Sequence, residues 1–201
     1  MTSGLPTVFG MKRIADETTS YGLEPSALVR RFAPKIAEAA AGKPLIDVAC
    51  GSGRNALTFA QLGCTVICVD RDLANLQAHV KHFRRTELRK VSAKLSLHQM
   101  DLVKDRWPFT ARLAGGIINV HFLLPELFPF FERSLSPGRY LLLETVPGCG
   151  GNYLELPKAG ELRSALERAF DLELYQERKA GPLGFDAVTV KVLARKRGSS
   201  R

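Results

Sequence analysis

The sequence predicts an α/β fold: a seven-stranded, mostly parallel sheet with helices on both faces and a C-terminal antiparallel hairpin. From Pro44 onward, short β-branched apolar runs alternate with stretches of helical periodicity, the pattern of consecutive βαβ units. A glycine turn, Gly51-Ser52-Gly53, separates the first such run from the first helical stretch. The last two runs are joined through Gly181-Pro182-Leu183-Gly184, too short for a crossover helix, so that pair should be antiparallel.

Each element has its own signal. Leu45 to Ala49 reads as the first strand, and the helix after the glycine turn runs from about Asn55 to Leu62 with Gly63 as its cap. Thr65 to Val69 is a second strand. Asp72 is placed to cap a helix whose apolar positions, Leu73, Leu76, Val80 and Phe83, follow helical spacing. Lys94 to Met100 alternates like a third strand, and Gly116 to Phe122 is a continuous apolar run of the buried kind. Pro125 to Leu135 fits a helix, and Ser136-Pro137-Gly138 reads as a turn into a fifth strand, Arg139 to Val146. A helix from Gly160 to Phe170 precedes the closing pair, Leu172 to Arg178 and Ala187 to Ala194. Before Pro44, Met11 to Ala15 and Pro25 to Ala40 read as helices. Residues 1–43 are therefore expected to form a helical cap or lid, with Phe9, Met11, Tyr21 and Leu23 over an acceptor site. Residues 44–197 form the domain and 198–201 a tail.

Composition narrows the class. A chain of 201 residues, 45% hydrophobic and 24% charged, suits one soluble domain with a single large core. No apolar run approaches the roughly 20 residues of a membrane span, and the N-terminus lacks an apolar signal core, so a cytoplasmic location is expected. Cys50, Cys64, Cys68 and Cys149 show neither C-x-x-C nor zinc-ligand spacing, so neither a metal nor a cystine framework is expected. The formal charge of +9 gathers at Arg30-Arg31, at Lys81 to Lys90 and at Arg195 to Arg197. It fits either a solvated helix face with a basic tail or an RNA partner. No aromatic residue interleaves the tail, which weakens a single-strand binding reading.

The chemistry gathers where the first strand meets the glycine turn. Free amides at a helix start favour a polar or anionic ligand head, and open α/β sheets bind ligands at this edge. Gly51-x-Gly53-x-x-Ala56 formally matches a dinucleotide fingerprint, and Asp70 at the end of the second strand suits a ribose in either cofactor class. Three features separate the classes. Asp47 lies inside the first strand, Asp101 follows the third strand directly, and the terminal pair is antiparallel.

With those residues the stretch Asp47 to Gly53 resembles the acidic glycine-rich motif of class I S-adenosylmethionine-dependent methyltransferases, with Ala49 where a first glycine is usual. The resemblance covers Leu45 to about Ala194 and implies a Rossmann-like fold and S-adenosylmethionine as cofactor. It implies that Gly51 and Gly53 approach the methionine moiety, with Asp47, Ala49, Arg54 and Arg71 around the loop. Asp70 would take the ribose hydroxyls. Asp101 would accept from the adenine amino group, with Met100 and Leu102 flanking the ring. Asn119 to His121 would line the methyl-transfer side. Asp47 could equally bond backbone amides of its own loop.

A finer resemblance, carried by Cys50 to Ala56, Val120-His121-Phe122, Leu127 to Gly138, Asn152-Tyr153-Leu154 and Gly160-Glu161-Leu162, is to the tellurite-resistance-type branch. It implies a small-molecule or metalloid acceptor. His121 is the one catalytic candidate, as a general base or as a core histidine. Asn119 is followed by Val120-His121-Phe122 and not by Pro-Pro-Tyr, which argues against the usual methylation of amino groups in nucleic acids. The remaining alternatives are an RNA methyltransferase, a nicotinamide-dependent oxidoreductase and a non-catalytic cofactor-binding interaction protein.

Overall fold

The computed structural model describes residues 23–83, 89–145, 156–181 and 186–198. In chain order these form α1 (Ala27–Ala40), β1 (Leu45–Val48), α2 (Arg54–Gln61), β2 (Val66–Asp70), α3 (Ala74–Phe83) and the short α4 (Arg89–Ser92). Then follow β3 (Leu95–Gln99), β4 (Ala114–Val120), a 3-10 turn (Pro125–Leu127), α5 (Phe128–Ser134) and β5 (Leu135–Glu144). The chain ends with α6 (Glu161–Leu166), β6 (Phe170–Ala180) and β7 (Ala187–Lys196).

The strands make one seven-stranded sheet in the order β3-β2-β1-β4-β5-β7-β6. Pairs from β3 to β5 are parallel, and β7 runs antiparallel to both β5 and β6, as the short final link predicts. β1 and β4 sit centrally and are buried on both faces, which is why they read as continuous apolar runs. β6 forms one outer edge, and its exposure changes along the strand.

Two cores flank the sheet. On one face Ile46, Ile117 and Leu141 pack with Trp107, Phe128 and Phe131. The Trp107 indole N–H donates to Ser134 Oγ at 2.9 Å, so its polar tip is satisfied inside that core. On the other face Leu45, Ile118 and Leu142 pack with Val29 and Ile36 of α1 and Phe59 of α2. Phe128 and Phe131 are buried, whereas Phe122 and Phe130 are only half-buried.

α1 lies very close to the start of β4. A Cβ on Gly115 would stand 2.9 Å from both the Ala40 carbonyl oxygen and the Ala40 Cβ, and one on Gly116 would stand 2.7 Å from Leu45 Cδ2. Backbone is the obstacle at Gly115, so nothing there can swing aside. Gly115→Ala is expected to destabilise the fold by about 1–3 kcal/mol, the usual range for overpacking. A urea midpoint equal to that of the wild type would contradict this packing.

Several expectations need correcting. Ser136-Pro137-Gly138 is no turn before a strand. It lies inside β5 as an irregularity, where the register with β4 jumps from Ala114↔Leu135 to Gly116↔Tyr140. The helix expected from Pro125 to Leu135 divides into the 3-10 turn and α5, because Leu135 already adopts an extended conformation. Phe170 begins β6 and does not end a helix, although Leu162, Leu166 and Phe170 are all buried as the spacing predicts. α1 packs on the sheet, as its register of Leu28, Phe32, Ile36 and Ala40 predicts, and Leu23 packs on Leu57 and Ala60. The rest of the expected lid, including Phe9, Met11 and Tyr21, lies outside the described residues, as do Cys149, Val146, Asn152 to Leu154 and Pro182 to Gly184. Cys50 and Cys68 are buried and Cys64 is half-buried, all with free thiols. Among the described residues no helix is long and apolar enough to cross a membrane, and no His, Cys, Asp or Glu cluster could hold a metal.

Candidate cofactor and transfer site

The carboxyl ends of β1, β2, β3 and β4 meet at one edge of the sheet, the place where open α/β sheets bind ligands. Two residues without glycine's freedom turn left-handed there: Ala49, one past β1, at φ 54°, and His121, one past β4, at φ 64°. Such geometry costs of order 1–3 kcal/mol per residue and gathers at functional sites. It also accounts for the usual glycine at the position that Ala49 holds. β1 and β4 are neighbours in register, so both reversals lie side by side.

Beyond Ala49 the loop turns back toward β2. The Gly51 N–H donates to Asp70 Oδ2 at 2.8 Å, and the Asp72 N–H donates to Asp70 Oδ1 at 3.0 Å. Asp70 therefore ties the glycine loop to the end of β2, with lone pairs left on both oxygens. The two glycines differ. A Cβ on Gly51 would meet nothing within 4 Å, which leaves its face open to a ligand, whereas one on Gly53 would stand 2.5 Å from Leu76 Cδ1. Gly53, at φ 81°, is small so that α3 can pack on the loop.

A cavity of about 350 Å³ opens at this edge, lined by Ala49, Asp70, Arg71, Met100, Asp101 and Leu102, together with Val103 and Phe122. Six of the residues expected around a cofactor thus share one cavity, in the lower size range of small-ligand sites. Phe122 and Val103 were not foreseen; the position of Phe122 immediately after His121 was the available signal. A larger hollow of about 710 Å³ adjoins it through Leu102 and Val103 and is lined by Trp107, Phe130 and Arg133. Asp101 lines the cavity, but its carboxylate is engaged in its own turn. It accepts from the Val103 N–H at 3.0 Å and faces Lys104 Nζ at 3.4 Å. Those contacts hold its pKa below the usual carboxylate value.

Asp47, Asn119, Arg54 and His121 do not line that cavity, and Asp47 and Asn119 are buried beneath the sheet edge. Asp47 is 1% exposed, and its Oδ2 has no hydrogen-bond partner. Burial drives its pKa up to about 7. The Ala56 N–H and the Arg54 charge oppose that rise, and the Asp70 charge adds to it. Ala56 is the third residue of α2, so its N–H ties Asp47 to the start of that helix. Asn119 is fully buried with both side-chain polar atoms unpartnered.

Arg54 Nη2 lies 3.1 Å from His121 Nδ1. A guanidinium has only donors, so Nδ1 must accept, and the neutral imidazole carries its proton on Nε2. Desolvation first, and the Arg54 charge second, hold the His121 pKa below its ordinary value, with Glu144 pulling the other way. Arg54→Met is therefore expected to move the His121 pKa upward in an NMR titration; an unchanged or lower value would show that Arg54 does not set it. Glu144 and its partner Lys191 also went unforeseen, although a glutamate ending the apolar run Leu141-Leu142-Leu143 is a visible break in pattern.

A family model described as RNA cap guanine-N2 methyltransferase matches residues 42–122, less than half of the chain and the part that carries β1 through β4. No curated protein matches. Among solved structures, the (4+2)-cyclase SpnF is 17% identical with a TM-score of 0.62, covering 83% of this chain and 81% of its own. A geranyl diphosphate methyltransferase in complex with S-adenosylmethionine is 14% identical with a TM-score of 0.61, covering 82% and 84%. The 1,6-didemethyltoxoflavin-N1-methyltransferase of Burkholderia thailandensis, bound to 1,6-didemethyltoxoflavin and S-adenosylhomocysteine, is 14% identical with a TM-score of 0.56, covering 98% and 94%. The chain has the Rossmann-like fold of class I S-adenosylmethionine-dependent methyltransferases.

Proposed function

We propose that this chain binds S-adenosylmethionine and transfers its methyl group to a small acceptor, organic or metalloid. The observation that carries the reading is the cavity at the sheet edge, with Asp70 held across the glycine loop on one side and Met100, Leu102 and Phe122 on the other. That donor set fits the cofactor: a carboxylate with free lone pairs for a ribose diol, apolar side chains for a purine face, and an open Gly51 for the amino-acid end. When bound, the cofactor supplies a sulfonium methyl that an acceptor lone pair displaces as the carbon–sulfur electron pair leaves with sulfur. The chain's task is then alignment more than proton transfer.

Asp70 orients the ribose, Arg71 and Asp101 flank the adenine side, and Asn119 lies beneath the edge with an unsatisfied amide for a polar group of the ligand. Asp47 braces the start of α2 through Ala56. His121, neutral and protonated on Nε2, serves the transfer side as a donor and not as a base. Relatives of this fold that act on small molecules support the acceptor class, and the loop Cys50 to Ala56 supports a place near the tellurite-resistance-type branch. A second reading, methylation of RNA, is favoured by the matching family model and by the charge of +9.

Calorimetric titration with S-adenosylhomocysteine, in parallel with nicotinamide dinucleotides, tests the proposal. Binding of the sulfur ligand alone is expected, and binding of a dinucleotide alone would overturn the reading. Binding of an RNA oligomer that weakens steeply with salt would move the choice to the second reading.

A further inference from the structure

After β3 the chain folds back on itself between Asp101 and Asp105. The Lys104 and Asp105 N–H groups donate to the Asp101 carbonyl at 3.1 Å and 2.8 Å, and Asp105 Oδ2 accepts from the Asp101 N–H at 2.8 Å. With the Val103 N–H bonded to Asp101 Oδ1, the turn is fixed from within. It holds Val103 at 70% exposure, the one large hydrophobic side chain so exposed among the described residues. Arg106, just beyond it, is exposed as well.

This turn walls the hollow of about 710 Å³, a volume inside the ~300–1,000 Å³ range of small-ligand sites. Trp107 lines it and is 8% exposed, with its N–H already spent on Ser134, so it offers a ligand only its ring. The Phe130 ring lies 6.4 Å away and is tilted by 30°. Flat or extended apolar groups suit such a lining.

Charge sets the other end of the ligand. Arg106 and Arg133 belong to the lining, and neither guanidinium has a hydrogen bond or an ion pair among the described residues; Arg133 lies over the Phe130 ring at 5.4 Å. Asp105 and Glu126 belong to it too. Asp105 is bonded back onto its own turn, which leaves the Glu126 carboxylate against two open guanidinia. The net charge of +9 tips the field the same way. A guanidinium can give two parallel bonds to a carboxylate, and a cationic ligand has no use for them.

We propose that this hollow is a second ligand site, for a small organic acid with an aromatic or extended apolar body. The body packs on Trp107, Phe130 and Val103, and the carboxylate pairs with Arg106 and Arg133. The site goes beyond the methyl-transfer reading and does not depend on it. Asn119 and His121 do not line it, and it shares only Leu102 and Val103 with the cofactor cavity.

Trp107 is the single tryptophan of the chain, so its emission reports on the hollow directly. Phenylbutyrate should shift that emission saturably, with a Kd on the order of 0.1–1 mM. Phenylbutylammonium, with the opposite charge on the same body, should bind about tenfold more weakly, and butyrate, without the ring, should cause no shift. Arg106→Gln combined with Arg133→Gln should bring the acid and the ammonium to equal affinity. Both side chains are exposed, so the double variant should fold. The proposal is overturned by no saturable shift with phenylbutyrate, by an equal shift with butyrate, or by a preference for the acid that is absent in the wild type or retained in the double variant. Emission that changes on dilution without any probe would seat a second copy in the hollow and overturn it as well. Calorimetry with S-adenosylhomocysteine on the same samples is independent, because its failure overturns the cofactor reading and leaves this site standing.

Discussion

Asp70→Ala should weaken S-adenosylhomocysteine binding by about 100-fold or more, the largest functional effect expected of any single substitution here. Asp70 accepts from Gly51 at 2.8 Å and from Asp72 at 3.0 Å, so one carboxylate holds the loop and the start of the following helix together. Alanine removes both bonds as well as the acceptor expected to meet the ribose. Each hydrogen bond to a charged group contributes roughly 1.5–3 kcal/mol, and 1.4 kcal/mol is a factor of ten in affinity. Asp70→Asn separates the two roles. It keeps one acceptor oxygen, so the loop should hold partly while the affinity falls by a smaller factor. Calorimetry on both variants, with thermal melts alongside, makes the comparison. Near wild-type affinity in Asp70→Ala would remove Asp70 from the site.

Asp47→Asn is expected to raise stability at pH 8 and to leave it almost unchanged at pH 4. The Asp47 pKa is raised from the ordinary 3.8 to about 7 by burial. Below about pH 4 both the folded and the unfolded chain carry a neutral Asp47, and the residue is neutral in its effect. Between about pH 4 and about pH 7 the unfolded chain releases this proton while the folded chain keeps it, so stability falls steadily with rising pH. Above about pH 7 both are ionised and the loss is complete, at roughly 4 kcal/mol for a shift of this size. Asparagine takes the proton out of the comparison and can still accept from Ala56, but it leaves an amide where Oδ2 has no partner. The net gain at pH 8 should therefore be on the order of 2–4 kcal/mol. Urea melts at the two pH values decide it, and equal gains at both would mean that Asp47 does not titrate as its burial requires.

Where one physical rule dominates, the sequence was a good guide. The continuous apolar runs of β1 and β4 and the short link before β7 made the order of layers and the final hairpin readable. The spacing of Leu73, Leu76, Val80 and Phe83 named the buried side of α3 without error. Ser136-Pro137-Gly138 misled because turn residues also serve an irregularity inside a strand, and only the partner strand distinguishes the two. At the site, the glycine loop and the residues after β2 and β3 were legible, since local chain geometry brings them to one edge. Glu144, Lys191 and Val103 depend on strands and loops distant in sequence, so no spacing could assemble them. The distinct tasks of Gly51 and Gly53 were equally hidden, because only the place of Leu76 on α3 tells them apart.

The outer strand β6 has a further consequence. Over 11 residues it presents a free row of backbone donors and acceptors, an invitation for a second copy to zip on and begin an aggregate. Its acidic side chains are fastened to their own chain: Asp171 to Arg197, Glu173 to Lys35 and the Tyr140 hydroxyl, and Glu177 to the Gly160 N–H. An incoming strand would have to desolvate those carboxylates or strip them from their partners before it gained its first ladder bond. The charges along this border are anchored and act as a fence against a second strand.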